Sequence, residues 1–195
     1  QKMNRHHDVK KVQSVLKQAK DVGFSNINVD LIYALPHQTL RDVKRDLKFI
    51  CTLPITHVST YSLMIEEHTK FYVDGVTPVS EEMDEAMYWL MREELKKVGF
   101  AQYEISNFCK PGYESKHNLT YWDNAYYYGF GLSASGYVPN KRYTNTKSIN
   151  QYLSGNWIKE IEELTKFDEM SYEMILGLRK LEGVAKQKFY HKFQK

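Results

Sequence analysis

Residues 26–50, NINVDLIYALPHQTLRDVKRDLKFI, decide the fold class of this chain. Residues 26–33 alternate between two faces, which predicts a strand with Asp30 on the side opposite its main apolar face. The loop that follows ends at Thr39, whose hydroxyl and the Asp42 carboxylate three residues later are a capping signal for a helix. Apolar side chains then recur at helical spacing to the end of the stretch. The stretch therefore predicts one strand–helix unit.

The same type of pattern continues on both sides of this stretch. The spacing predicts a helix from Asp8, a strand over residues 57–63, a helix from near Ser80 and a strand near residues 102–105. This alternation is typical of an α/β fold with a parallel sheet, either open or rolled into a barrel. Catalytic groups then belong at the carboxyl ends of the strands.

The second half of the chain has a different organisation. Residues 107–145 are crowded with Tyr, Gly, Asn and Ser, which predicts long functional loops and one strand near residues 132–138. Helical patterns follow over residues 149–153, 157–164 and 169–181 and beyond Gly183. We therefore predict three segments, namely the last βα units over 1–108, a Tyr/Gly-rich loop segment over 109–147 and a small, mostly helical C-terminal domain over 148–195.

Composition excludes several classes of protein. The chain has 195 residues, with 27 Lys and Arg against 24 Asp and Glu, so its net charge of +3 does not favour a nucleic-acid partner. Polar residues interrupt every charge-free stretch, so we expect no transmembrane segment. Cys51 and Cys109 form no disulfide framework, which predicts a cytoplasmic location. Because the chain begins with Gln1 and lacks an apolar leader, we expect it to start within a longer protein.

Two charged residues of the first half are candidate ligand contacts. Asp30 lies on a predicted strand, where a carboxylate is costly to bury alone, and it suits hydrogen bonds from the hydroxyls of a ligand. The alternative is a carboxylate satisfied by neighbouring backbone or by an arginine. Arg5 suits a ligand carboxylate, which its planar guanidinium binds through two hydrogen bonds. The alternative is a solvated arginine.

Residues 117–122, HNLTYW, place four chemically distinct side chains in one predicted loop. His117 offers an imidazole that ligates metals, Asn118 a carboxamide, Tyr121 a phenol and Trp122 an indole. Aromatic faces and an imidazole together suit a flat, polarisable ligand with a metal at its centre. The alternative is a loop whose tyrosine and tryptophan pack into the core.

Several strings in this order resemble one family. They are NRHH at 4–7, GF at 23–24, NVDLIYALP at 28–36, QT at 38–39, HVSTYSL at 57–63, YEISNF at 103–108, HNLTYW at 117–122, GLR at 177–179 and EGV at 182–184. Together they resemble the radical SAM family of oxygen-independent coproporphyrinogen III oxidases and their haem-chaperone relatives. The chain departs from that pattern at Ala34, where the family usually has Gly, and at His37, where it often has Gly or Lys.

The resemblance implies a fold and a set of cofactors. It implies a partial (β/α)6 barrel that holds a [4Fe–4S] cluster and S-adenosylmethionine, followed by a smaller C-terminal domain. The CxxxCxxC segment of the family is expected upstream of this chain, which alone would then be inactive. Arg5 matches the position that meets the methionine carboxylate, and Asp30 matches the one that binds the ribose hydroxyls. The string associated with haem contributes His117, Asn118, Tyr121 and Trp122, with His117 as the candidate ligand of the haem iron.

Three functions follow as hypotheses. The first is a haem chaperone that delivers haem to a respiratory protein, and HNxxYW at 117–122 favours it. The second is an oxidase that decarboxylates the propionates of coproporphyrinogen III to vinyl groups in porphyrin biosynthesis. The third is a helix-rich interaction module, which predicts affinity for neither ligand.

Overall fold

The computed structural model describes residues 8–195, which form two compact units. The first unit ends at Glu114, and the second runs from Ser115 to Lys195. The mixed α/β class predicted from the sequence is confirmed. The division into three segments remains a prediction about domain organisation. Arg5 lies outside the described residues.

The first unit alternates helices and strands as predicted up to residue 62, and after that it adds a short helix and a fourth strand that the sequence did not predict. Its elements are α1 (Val9–Asp21), β1 (Asn28–Tyr33), α2 (Leu40–Ile50), β2 (His57–Ser62), α3 (Lys70–Val73), α4 (Glu81–Lys97), β3 (Ala101–Gln102) and β4 (Asn107–Cys109). The side chains of Asp8, Thr39 and Ser80 cap α1, α2 and α4, and Thr39 and Asp42 form the predicted capping box. Each cap satisfies an amide of the first turn that has no partner within the helix.

The strand order of the first unit is β1-β2-β4-β3. β1 and β2 pair in parallel, but β4 runs antiparallel to both β2 and β3, so the parallel arrangement predicted from the sequence fails at β4. Only residues 103–106 join β3 to β4, which suits a hairpin, whereas a parallel crossover needs about a dozen residues or more. β4 therefore inserts between β3 and β2, while β3 keeps the direction of β2.

One face of this sheet packs on helices and forms the core. Met87, Met91 and Leu95 of α4 recur every four residues, and all three are 0% exposed. Helix α2 packs on α4 and contributes Val43, Leu47 and Ile50, which are also buried. Burying such side chains stabilises a fold by roughly 1.5–3 kcal/mol each. Side chains alternate along a strand, so every second side chain of β1, β2 and β4 lies on the opposite face of the sheet.

The second unit combines four helices with a small sheet. Its elements are α5 (Lys116–Trp122), β5 (Ser135–Val138), β6 (Lys141–Asn145), α6 (Ile149–Leu153), β7 (Ile158–Glu163), α7 (Lys166–Gly177) and α8 (Lys186–Phe193). The sheet order is β5-β6-β7, and both pairings are antiparallel. Asn140, with a φ of 63°, lies in the two-residue turn between β5 and β6. The sequence predicted β5 but not this hairpin.

Residues 157–164 were expected to be helical, and this prediction is wrong. Ile158 and Ile161 are three residues apart, as on a helix face, yet they belong to the exposed strand β7. Its register sets Glu163 opposite Lys141 and Glu162 opposite Arg142. Cross-strand pairs of opposite charge stabilise an antiparallel ladder. Pairing with β6 therefore decided the structure of a segment whose local pattern was ambiguous.

Residues 117–122 were expected in a loop, and this prediction is also wrong. They form most of α5, which begins after the N-cap Ser115, whose hydroxyl accepts from the amide of Asn118 at 3.3 Å. Ser115, followed by Leu119 and Trp122 at helical spacing, was the signal in the sequence. This helix changes which side chains of the string share a surface.

Candidate functional site

The face of the first sheet opposite the helices carries polar side chains in two rows. The register sets Asn28 opposite His57, and Asp30 opposite Ser59, which in turn lies opposite Asn107. Asn28 and Asp30 are exposed, whereas His57, Ser59 and Asn107 are 5%, 4% and 3% exposed. Strands β1, β2 and β4 thus bring two amides, a hydroxyl, an imidazole and a carboxylate to one surface.

Hydrogen bonds connect Asp30 to buried groups of this surface. Asn28 Nδ2 donates to Asp30 Oδ1 at 2.7 Å, and Asn28 Oδ1 lies 2.6 Å from His57 Nδ1. The other imidazole nitrogen, Nε2, lies 2.8 Å from the hydroxyl of Tyr103. Ser59 also donates to Asn28 Oδ1, at 3.3 Å. The carboxylate predicted to bind hydroxyls therefore lies at the exposed end of an ordered chain of contacts.

Burial lowers the pKa of His57, although the charges of Asp30 and Glu114 partly oppose this effect. Below about pH 6.5, the ordinary pKa of histidine, His57 therefore binds a proton in the unfolded chain but stays neutral in the native one. The free energy of unfolding should fall as the pH drops through this range, and His57→Gln should lose that component. Urea denaturation of both proteins from pH 8 to pH 5 measures the difference, and a difference independent of pH would contradict the assignment.

Both departures from the family pattern lie in the loop after β1. Ala34 and His37 have φ angles of 58° and 63°, in the left-handed region that favours glycine. Gln38 holds the loop, because its amide donates to the carbonyl of Leu35 at 2.8 Å and its side chain accepts from the Leu35 amide at 3.1 Å. The loop thus keeps a glycine-type conformation without the glycine.

His37→Gly should stabilise the first unit by about 0.5–1 kcal/mol. Relief of the left-handed strain, about 1–2 kcal/mol, exceeds the extra chain entropy that glycine loses on folding. The His37 side chain is exposed, so little packing is lost. Chemical denaturation measures the gain, and His37→Ala is the matched control because it retains the Cβ and should show none. Equal effects of the two variants would refute the strain.

The cysteines do not fit an iron–sulfur cluster. The chain has two cysteines, whereas a [4Fe–4S] cluster is normally held by four cysteine thiolates. Cys51 and Cys109 are far apart in the sequence, and residues 8–195 contain no group of three His, Cys, Asp or Glu side chains placed to hold a metal ion. Across the same residues, no helix is both long and apolar enough to cross a membrane.

Helix α5 divides the HNxxYW string between two faces. His117 and Tyr121 are four residues apart, and their rings meet edge to face with centroids 4.8 Å apart. Tyr121 meets Tyr127 in the same way at 4.6 Å, and His117 is exposed. Asn118 and Trp122 lie on the neighbouring face. The structure therefore brings His117 and Tyr121 together and places Asn118 and Trp122 apart from them.

Trp122 and Asp123 attach the end of α5 to the rest of the second unit. The guanidinium of Arg179 lies over the Trp122 ring, 4.4 Å from its centroid. Asp123 pairs with Lys180, which is 8% exposed and also contacts Glu182 at 2.9 Å. Burial disfavours the charge of Lys180, but the two carboxylates outweigh it and raise its pKa. Arg179 of the GLR string, together with Lys180 directly after it, therefore attaches the end of α5.

The same attachment explains the glycine of that string. A Cβ at Gly177 would lie 2.4 Å from Cγ2 of Val184, which belongs to the EGV string. The two strings at 177–179 and 182–184 therefore pack on each other. Their pairing also places Arg179 and Lys180 beside the end of α5.

Reasoning from the sequence missed several of these residues. Asn28, His57 and Tyr103 were not candidates, although Asn28 alternates with Asp30 and His57 with Ser59, which was a detectable signal for one polar face. No local sequence pattern indicated Tyr127 or Arg179, because only the tertiary fold brings them into contact with α5. The assignments of Asp30, His117, Asn118, Tyr121 and Trp122 to ligands remain predictions.

Comparison with known proteins tests the family resemblance. No family model matches the chain. The chain is 44% identical over 200 aligned positions to the heme chaperone HemW of Lactococcus lactis, a match that covers 99% of this chain and 53% of that protein. It is 37% identical over 202 positions to HemW of Bacillus subtilis, with the same coverage of both chains. The chain thus spans about half the length of the curated relatives it matches.

A solved structure supports the fold. The radical SAM enzyme coproporphyrinogen III oxidase (HemN) of Escherichia coli superposes with a TM-score of 0.80 over 98% of this chain and 49% of its own. At 18% identity, this likeness shows the fold alone. The predicted resemblance to the haem-chaperone relatives is therefore confirmed by the sequence matches, and the fold agrees with that of the oxidase structure.

Proposed function

We propose that this chain supplies haem-binding and S-adenosylmethionine-binding residues to a haem chaperone of the HemW type. The observation that carries the proposal is the exposed imidazole of His117 in edge-to-face contact with Tyr121, which contacts Tyr127 in the same way. The HemW relatives are named heme chaperones, and their identity of 37–44% over almost the whole chain supports this function. The oxidase alternative has the support of a shared fold alone.

We assign different tasks to the residues of the string, guided by their positions on the helix. His117 would hold haem through its imidazole, a common protein ligand of haem iron. His117 is exposed for that contact, and Tyr121 offers apolar ring area beside it. Asn118 orients the start of the helix or contacts a propionate. Trp122, which stacks under Arg179, holds α5 in place.

The first unit contributes the contact with S-adenosylmethionine. Asp30 is exposed on the polar face, and its carboxylate accepts hydrogen bonds only, as ribose hydroxyls require. Arg5, outside the described residues, is the proposed partner of the methionine carboxylate. A respiratory protein that receives haem, and a cytoplasmic site of action, complete the proposal.

A haem titration of the purified chain tests the proposed haem site. We expect a shifted Soret band that His117→Ala abolishes, because the mutation removes the imidazole ligand while it leaves α5 attached. His191→Ala is the matched control, since His191 is also exposed in the second unit, on α8. A Soret band unaffected by His117→Ala would refute the assignment.

A further inference from the structure

We propose that Tyr103, His57 and Asn28 form a relay that positions the Asp30 carboxylate for a ligand with paired ribose hydroxyls. This inference rests on the proposed function of Asp30 and adds three positioning residues to it. Two short contacts join the imidazole to its neighbours, at 2.6 Å to Asn28 and 2.8 Å to Tyr103. A third, at 2.7 Å, joins Asn28 to Asp30.

The chemistry of the groups fixes the direction of every hydrogen bond. A carboxylate only accepts, so Asn28 presents its NH₂ group to Asp30 and its oxygen to the imidazole. His57 Nδ1 therefore carries the proton. In the neutral imidazole Nε2 is then an acceptor, and the Tyr103 hydroxyl donates to it. All donors thus point along the relay towards Asp30.

Burial makes this relay a rigid support. Asp30 and Asn28 are exposed on one strand, where their side chains would otherwise adopt several rotamers. His57, by contrast, is 5% exposed and is fixed at both nitrogens. Hydrogen bonds aligned in one direction also strengthen one another in a medium of low dielectric. The relay thus ties an exposed, ligand-facing carboxylate to a buried group.

Spectroscopy of the chain itself tests the direction of the relay. ¹⁵N NMR of the labelled imidazole at neutral pH should show His57 neutral and protonated at Nδ1. Tyr103→Phe, which removes only the hydroxyl, should shift the Nε2 resonance, whereas Thr60→Val should not. Thr60 lies on β2, the strand of His57, but its hydroxyl donates to the carbonyl of Ser106 and does not contact the imidazole. A native imidazole protonated at Nε2 would overturn the proposed relay.

Calorimetry on the full-length protein tests the positioning role. Tyr103→Phe should weaken S-adenosylmethionine binding about threefold to tenfold, the value of one ordinary hydrogen bond. It should leave the affinity of the 2′,3′-dideoxy analogue unchanged, because that ligand lacks the hydroxyls that Asp30 meets. Thr60→Val should change neither affinity. Asn28→Ser, which withdraws the amide from Asp30, should show the same selectivity with a larger loss.

The outcomes separate this inference from the function on which it rests. If Asp30→Ala weakens only the hydroxyl-bearing ligand while Tyr103→Phe and Asn28→Ser weaken neither ligand, or both equally, the relay is overturned and the Asp30 contact stands. If Asp30→Ala changes neither affinity, the proposed contact itself is overturned, and the relay with it.

Discussion

Replacing Trp122 with alanine is expected to lower the free energy of unfolding of the second unit by about 3 kcal/mol. This value is the lower end of the range for tryptophan-to-alanine changes, because the side chain is only partly buried. The substitution also removes the surface on which the guanidinium of Arg179 stacks. Urea denaturation followed by circular dichroism, with a separate transition fitted for each unit, measures the loss.

Trp157→Ala is the matched control for this prediction. Trp157 belongs to the same unit, but it is 58% exposed, so its removal should cost less than about 1 kcal/mol. Equal losses for the two variants would mean that Trp122 does not anchor α5.

The second large effect concerns the first unit. Asp30→Ala should weaken S-adenosylmethionine binding to the full-length protein by about 1.5–3 kcal/mol, or about 10- to 150-fold, the range for hydrogen bonds to a charged group. Isothermal titration calorimetry measures the affinity. Asp74→Ala, an exposed carboxylate at the end of α3, is the control and should leave it unchanged. An Asp30→Ala affinity equal to that of the native protein would exclude the contact.

Most elements of the first unit followed from local signals, but α3 and β4 did not. The capping pair Thr39 and Asp42 predicted α2, and the two-residue alternation through Asp30 predicted β1. Caps and periodicity depend on neighbours in the chain, so the sequence displays them directly. The direction of β4 depends instead on the short connection to β3 and on pairing with β2, which local periodicity does not encode.

The candidate sites divide in the same way. Asp30 and His117 were recognised from their residue types and from the family strings. Their supports were not, because the contact of His57 with Tyr103 spans 46 positions and that of Lys180 with Asp123 spans 57. The apolar spacing within residues 157–164 fitted a helix, and only the partner strand β6 made it a strand. Long-range pairing thus accounts for what the sequence left open.

The central claim is that one face of α5 binds haem while the other holds the helix in place. The most direct test is a haem titration of the chain that compares His117→Ala with Trp122→Phe, because phenylalanine keeps an aromatic ring under Arg179. The account predicts that His117→Ala loses the shifted Soret band and that Trp122→Phe binds haem with native affinity. Native haem binding in His117→Ala, or its loss in Trp122→Phe, would contradict it.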